Sequence, residues 1–287
     1  MNPTGRPPAR DGIPARKVVL SGEVPAGRFW AARAGDSPFA PGTELTPGTA
    51  LPRPIPAWTF PPTPPEPAIP FHYQVRYRDE QLVVVDKPHF LPTTGNGRIQ
   101  RETVQTRLCQ EFGDDAVVCH RLDRLTAGLV LCSLDPASRG AYQQLFARRE
   151  VHKTYLARVD ADVGATDWQE VRLRMNKPRG ARQVQVGEGT ETRTLWRGLG
   201  DSVVELRPMT GYTHQLRVVC AELGMPIAGD DTYPVNRGRD LWDFSTPLHL
   251  LATTLAFRDP ITGQDRKFIS ERHLPDKLNG LIEEKVR

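Results

Sequence analysis

The sequence predicts an α+β fold, rich in strands that are mixed with helices rather than alternating strictly with them. Three observations predict it. Short apolar runs of strand length recur from residue 71 on, among them LVVV (82–85), GLVLCSL (128–134) and HLLATTLAF (249–257). Helical spacing is confined to three stretches, ETVQTRLCQEF (102–112), ASRGAYQQLFARR (137–149) and THQLRVVCAEL (213–223). Strands also follow one another without a helix between them, as TRTLWRGL (192–199) and SVVELRP (202–208) do across Gly200-Asp201.

Each element has a local reason. Residues 1–70 hold 17 of the 27 prolines and close with PAWTFPPTPPEPAIP (56–70). Proline lacks an N–H and fixes φ, so 51–70 reads as an extended strap. Ahead of it, RKVVLSGEV (16–24) and PGTELTPGTAL (41–51) combine a short apolar run with turn signals. A small degenerate subdomain and a poorly ordered extension both fit that composition. The boundary falls at residue 70, with an extension over 1–70 and a folded domain over 71–287. LVVV is a buried strand ended by Asp86-Lys87-Pro88. The helix over 102–112 stops at Gly113, and Pro136 suits the first turn of the helix over 137–149. HKTYLARV (152–159) alternates, with Tyr155, Ala157 and Val159 on one face. The helix over 213–223 stops at Gly224, and ITGQDRKF (261–268) reads as a hairpin arm after the strand over 249–257. No internal repeat is present.

Composition narrows the function classes. The 287 residues carry a net charge of +4, which permits a polyanionic partner without requiring one. No run approaches the roughly 18 apolar residues of a membrane span. MNPTGRPPARDG at the start has no apolar core, so it is not a secretory signal. Cys109, Cys119, Cys132 and Cys220 form no CxxC pair and sit in partly apolar stretches. They read as buried thiols rather than a zinc site or disulfide framework, which fits a cytoplasmic protein. GDD (229–231) reads as a turn rather than a metal-binding pair, and GxGxxG and GxxxxGK[ST] do not occur.

The chemistry concentrates in HRLDRLTAGL (120–129), where one carboxylate, Asp123, stands among His120, Arg121 and Arg124. If the stretch is extended, Arg121, Asp123 and Leu125 share one side. A neighbouring guanidinium favours the ionised acid, which then suits a nucleophile or base better than a general acid. A loop aspartate in a plain salt bridge fits the same residues. No second carboxylate stands nearby to make a two-acid glycosidase.

The stretch resembles the HRLDxxTSG motif of the RluA-type family of RNA pseudouridine synthases. Further segments agree in the family's order. LVVVDKP (82–88) is similar to its first motif, KTYLARV (153–159) to its K-x-Y-x-A segment, and TGYTHQLRVVCAELGMPIAGDDTY (210–233) to TGRTHQIRVH…LG-x-PI-x-GD-x-x-Y. HLLATTLAF…DPITG (249–263) fits its closing strand. The resemblance covers about residues 71–272 and implies a pseudouridine synthase fold, a mixed, largely antiparallel central sheet flanked by helices.

It also implies an activity, the isomerisation of uridine in RNA to pseudouridine without cofactor or metal; a monomer is the expected state. Ribosomal RNA is the first expected target and transfer RNA the second. Asp123 matches the catalytic aspartate, whose roles as nucleophile at the sugar or base on it both need it ionised. Arg217 matches the arginine that pairs with that aspartate, and Tyr155 the tyrosine that stacks on the target base. Arg121 matches a residue that prises the nucleotide from its stack, and Leu216 an apolar contact in the base pocket. His120, Lys153, Thr213 and His214 belong to the same matched motifs as substrate contacts. RNA grip has its own signal in RLRMNKPRGAR (172–182), where Arg172, Arg174, Lys177, Arg179 and Arg182 stand without an acid. Arg148, Arg149, His152 and Arg158 add cations near a strand start.

Four positions depart from the family pattern. His89-Phe90 replaces a glycine-containing turn, Ala127 a serine, Tyr212 the arginine of TGRTHQ, and Val219 the histidine after HQLRV. The first 70 residues match no clean module, although GEV…PGTELTPGTAL is similar to the end of an S4 RNA-binding domain. The alternative to an isomerase is a catalytically inactive RNA-binding or RNA-chaperone protein on the same fold. A hydrolase on an unrelated fold with Asp123 as nucleophile would leave the ordered motifs to coincidence.

Overall fold

The computed structural model describes residues 5–35, 37–95 and 98–275. They divide into two compact units, one running through Glu66 and resuming over Thr94–Val117, the other taking Pro67–Thr93 and the chain from Val118 on.

The first unit is built on an antiparallel sheet of β1 (Arg16–Glu23), β2 (Phe29–Ala31), β3 (Glu44–Leu45) and β4 (Ala50–Thr59), in the order β1-β4-β2-β3. Leu20, Val24, Ala31, Leu45, Leu51, Ile55 and Ala57 form its core. The strap expected over 51–70 is therefore a paired strand as far as Thr59. Leu20 pairs with Ile55 and Gly22 with Leu51, so residues 52–54 oppose Ser21 alone. Pro52 and Pro54 fall inside this bulge, where the ladder is already interrupted and a missing N–H does least harm. Helix α1 (Val104–Phe112) belongs to the same unit. The Glu66 carboxylate accepts the backbone N–H of Gln100 at 2.6 Å, Arg101 at 2.9 Å and Glu102 at 3.2 Å. Thr103 then caps α1 by accepting from Thr106 N at 3.0 Å. These bonds tie 94–117 to residue 66, across the boundary drawn at residue 70.

At the sequence junction of the units lies β7 (Val117–Val118). The second unit holds β5 (Gln74–Arg78), β6 (Leu82–Lys87), β8 (Ala127–Ser133), α2 (Pro136–Ala147), β9 (His152–Arg158), β10 (Gln169–Asn176) and β11 (Gln185–Val186). β12 (Thr190–Gly200), β13 (Val203–Pro208), α3 (Gln215–Glu222), β14 (Leu250–Arg258) and β15 (Asp265–Ile269) complete it. The sheet runs β11-β10-β12-β13-β9-β14-β8-β6-β5, with β15 pairing β14 along Thr254–Arg258. Its neighbours are antiparallel except β14 and β8, so the sheet is mixed and largely antiparallel. Asp201 and Ser202, at φ 52° and 59°, make the two-residue turn between β12 and β13. β10 is not announced by its sequence, in which residues 172–182 read as one basic segment.

Cross-strand partners share a face, and register shows what the helices cover. Tyr155 pairs with Leu206 and Ala252, Leu206 with Trp196, and Lys153 with Leu255. Tyr142 and Leu145 of α2 pack with Leu129, Leu131 and Leu255. Val218 and Val219 of α3 pack on Met175, which shares the face of Tyr155 through the β10–β12 register. Both helices thus lie on the face that carries Lys153 and Tyr155.

Asp86 and Lys87 end β6 fully buried. Asp86 accepts from Ser270 Oγ at 2.7 Å and Glu271 N at 3.1 Å, with Arg272 Nε at 3.4 Å. Burial pushes its pKa up and that of Lys87 well down. The Lys87 ammonium donates to the carbonyls of Pro88 at 3.0 Å, Leu91 at 2.8 Å and Arg124 at 3.2 Å, three acceptors for its three hydrogens. Lys87→Met leaves those carbonyls buried without a donor. It should lower stability by about 3 kcal/mol or more in urea denaturation, and an unchanged midpoint would contradict this placement.

Candidate active site

Asp123 sits on a turn, not on an extended segment. Thr126 N donates to the Asp123 carbonyl at 3.1 Å, and the turn buries both Leu122 and Leu125, which alternation would have set on opposite sides. The turn is gripped along its backbone by residues 87–93. The Thr93 hydroxyl accepts from Leu122 N at 3.1 Å and donates to Leu122 O at 2.8 Å. His89 Nδ1 donates to Leu125 O at 2.7 Å, and Lys87 reaches Arg124 O. Every carbonyl from Leu122 to Leu125 is thus engaged. Gly128 follows at φ 115°, where a Cβ would lie 2.3 Å from Ala252 O, so only glycine lets β8 run beside β14 there.

The cations expected around Asp123 are arranged differently. His120 carries no charge, because burial, and then the charge of Lys153, lower its pKa to about 3. Its Nε2 accepts from Leu131 N at 3.0 Å and its ring stacks on Phe146 at 4.4 Å. Arg124 points away, donating to Leu241 O at 3.1 Å with its guanidinium 5.9 Å from the Phe90 ring. Arg121 is exposed. Arg217, expected to pair with Asp123, is held instead by Asp230 through Nε at 2.8 Å and Nη2 at 2.5 Å, and by Asp231 at 3.1 Å. The two acids of the GDD turn fill the guanidinium fork, and no ion pair to Asp123 occurs among the described residues. Burial opposes the Arg217 charge, but the Asp230 bonds outweigh it and raise its pKa, with the Asp123 charge contributing through space.

Asp123, Tyr155 and Arg217 nevertheless line one cavity of about 520 Å³, together with His120, Arg121, Lys153, Thr213, His214 and Leu216. That volume is within the usual range of about 300–1,000 Å³ for small-molecule sites. Burial, and then the Asp123 charge, push the Tyr155 hydroxyl well up, so the phenol stays protonated at neutral pH. Lys153 is pushed down by burial. His214 opens α3 at φ 57°, and burial lowers its pKa to about 4. Its Nδ1 hydrogen-bonds Tyr233 Oη at 3.0 Å, and that hydroxyl also accepts from Val184 N at 2.7 Å.

The basic segment does not join this cavity as a unit. Register puts Arg172 opposite Arg193 and Arg174 opposite Glu191, on the sheet face away from Tyr155. Arg172 is also bound to Glu170 at 2.5 Å. Of the five cations, Lys177 is the one whose charge reaches His214, while Arg179 and Arg182 are exposed in the turn after β10.

The cavity also holds Phe146 and Met209, which the sequence did not single out, with Arg149 and with Tyr212, one of the departures from the family pattern. Arg149 had counted as one cation among several. It follows the cap of α2 at φ 62°, while its N–H bonds Phe146 O and the Glu150 N–H bonds Leu145 O. Glycine is the usual residue at that left-handed position, and an arginine there is the signal that sequence spacing alone does not show.

A family model described as RNA pseudouridylate synthase matches residues 81–222. The chain is 32% identical over 205 residues to the dual-specificity RNA pseudouridine synthase RluA of Yersinia pestis, covering 69% of this chain and 98% of that one. It is 30% identical over 189 residues to the tRNA pseudouridine(31) synthase of Saccharomyces cerevisiae, covering 56% of this chain and 46% of that protein, so it spans less than half of that relative's length. A solved structure of human RNA pseudouridylate synthase domain containing 1 is similar at a TM-score of 0.57 and 25% identity, over 74% of this chain and 86% of that one.

Two outcomes follow from this geometry. His89 and His120 have folded pKa values of about 3, below the unfolded value of about 6.5, so the unfolded chain binds more protons between those limits. Their contribution is complete above pH 6.5 and falls as pH drops through the window, by up to about 1.4 kcal/mol per pH unit for a fully buried imidazole. Urea midpoints at pH 7 and 5 measure it, and His120→Gln, whose amide oxygen can accept the same Leu131 N–H, should flatten the slope. Arg149→Gly should stabilise the protein by about 0.5–1 kcal/mol by relieving the left-handed backbone; a loss of stability would show that the arginine packs rather than strains.

Proposed function

This chain belongs to the RNA pseudouridine synthase family, and on that premise we propose that it isomerises specific uridines in structured RNA to pseudouridine. The observation that carries the reading is the convergence of Asp123, Tyr155 and Arg217, from three separate segments, on one cavity. The reaction breaks the N1–C1′ bond, turns the detached uracil and joins C5 to C1′. C5 loses its proton to solvent and N1 gains one, so the product is an isomer and nothing else is consumed.

In this reading Asp123 supplies the anionic oxygen on which the step turns. Its carboxylate has no contact ion pair among the described residues, so a substrate meets it without first breaking one. Arg217, clamped by Asp230, is a fixed positive charge that acts on Asp123 from beyond contact. Tyr155 offers a buried aromatic face for the uracil and a neutral hydroxyl that can donate. A uridine inside a duplex cannot reach such a site, so the nucleotide must leave its stack; Arg121, exposed at the cavity, is proposed to hold it out. Phosphates of the RNA would be met by Arg121, Arg149 and Lys153 at the cavity, with Lys177, Arg179 and Arg182 beyond it.

The relatives' names give transfer RNA for one and dual specificity for another, which supports transfer RNA as a target; ribosomal RNA, the first target the sequence resemblance implies, is proposed beside it. Transcripts of each carrying tritium at uridine C5 test the reading. Wild-type protein should release tritium to water from at least one class, and Asp123→Asn should reduce release by about 10³-fold or more while RNA retention persists. Retention without release from any RNA would favour an inactive RNA-binding protein on this fold.

A further inference from the structure

The cavity is lined by two unlike kinds of residue. Arg121, Arg149 and Lys153 contribute cations, and no side-chain hydrogen bond or ion pair engages them among the described residues. The end of β13 and the loop before α3 contribute Pro208, Met209 and Tyr212, which are largely apolar. Met209 is 37% exposed, and Tyr212 is half-buried. An isolated RNA strand presents the same pair of features, phosphates on one side and flat bases on the other.

The loop is built to hold its residues still. Met209 N donates to Arg193 O at 3.0 Å, and Arg193 N donates to Thr210 Oγ1 at 2.9 Å. Thr210 Oγ1 donates to Gln215 Oε1 at 3.1 Å, and Gln215 N closes a turn on Tyr212 O at 3.2 Å. Tyr212 packs against the cluster of Met175, Val184, Val218, Val219 and Tyr233. Val219 is 1% exposed. A histidine there would put a polar ring into that cluster, so the valine and the tyrosine, two departures from the family pattern, form one apolar unit.

Tyr155 accounts for one base. Phe146 on the same cavity is already stacked with His120, whereas Tyr212 is a further aromatic residue there, backed by packing and fixed by its loop. On the reading of the chain as an RNA pseudouridine synthase, we propose that Tyr212 is a stacking platform for an unpaired nucleobase next to the target uridine. Single-stranded context on that side of the uridine is then a specificity determinant, with a purine preferred because its π-face is larger. An arginine at position 212 would read phosphate instead, which every sequence offers equally.

The test is a double-mutant cycle between protein and RNA. Tritium release is measured for wild type, Tyr212→Phe and Tyr212→Leu on the active RNA, and on versions with an abasic site at each nucleotide flanking the target. Tyr212→Leu should raise KM about tenfold with kcat within about threefold, and Tyr212→Phe should match wild type. One abasic position should raise the wild-type KM to the same extent and abolish the difference between wild type and Tyr212→Leu. Additive losses at every position, an unaffected Tyr212→Leu, or a Tyr212→Phe as impaired as the leucine variant would each overturn the platform. Circular dichroism excludes misfolding as the cause. If wild type releases no tritium from any RNA, the isomerase reading fails by itself, and filter-binding affinities of the same proteins and RNAs decide the platform separately.

Discussion

The site depends on a buried ammonium with nothing but backbone to hold. Lys87 is fully buried, and its acceptors are the carbonyls of Pro88, Leu91 and Arg124. A small group with three donors can join the end of a strand, the turn that follows it and a loop 37 residues downstream at a single point. Asp86 beside it answers to the segment 270–272. Thr93 and His89 extend the grip to Leu122 and Leu125. The carboxylate that the chemistry needs therefore rides on a turn whose backbone cannot shift without breaking several buried bonds at once.

Charge around that carboxylate is organised at a distance. A guanidinium in contact with Asp123 would stabilise the ion but occupy the oxygens that the substrate must reach. Asp230 removes the conflict by holding Arg217 through two bonds, while also accepting from Thr232 N at 2.8 Å and Tyr233 N at 2.9 Å. The arginine is then oriented by its own acids and leaves the Asp123 oxygens open to the cavity. Neutral His120 and His214 complete the arrangement. His120 accepts from Leu131 N and His214 bonds Tyr233, and both fill space at the cavity without adding charges that would have to be desolvated when an RNA enters.

Much of this was legible in the residues, and what was not has physical causes. Strands such as β6, β8 and β9 announced themselves because apolar length and alternation are local properties. β4 did not, because three prolines mask a strand whose bulge happens to absorb two of them. β10 was hidden by its charges, since a strand exposed on one face with arginine at alternate positions reads as a basic loop. At the site, Asp123 and Tyr155 came from ordered motifs. The partner of Arg217 did not, because ion pairing is settled by the fold, and the GDD turn lies closer to the guanidinium fork than the HRLD turn does. His120 looked like a cation because burial, which keeps it neutral, is a tertiary property.

Three of the six non-glycine residues with positive φ among the described residues, Phe90, Arg149 and His214 at 67°, 62° and 57°, lie at the site or in the turn that supports it; Asp11, Asp201 and Ser202 lie in turns elsewhere. Phe90 packs between Phe71 and Phe244 in the turn that Lys87 anchors, and the other two line the cavity. Glycine would take each backbone position with less strain, so local preference does not account for these residues. A phenylalanine that fixes the turn, an arginine aimed at the cavity and a histidine bonded to Tyr233 each trade local ease for something the site uses. Local preference and tertiary demand disagree where the chain holds an acid, an aromatic face and fixed charge around one substrate, and agree along most of the sheet that supports them.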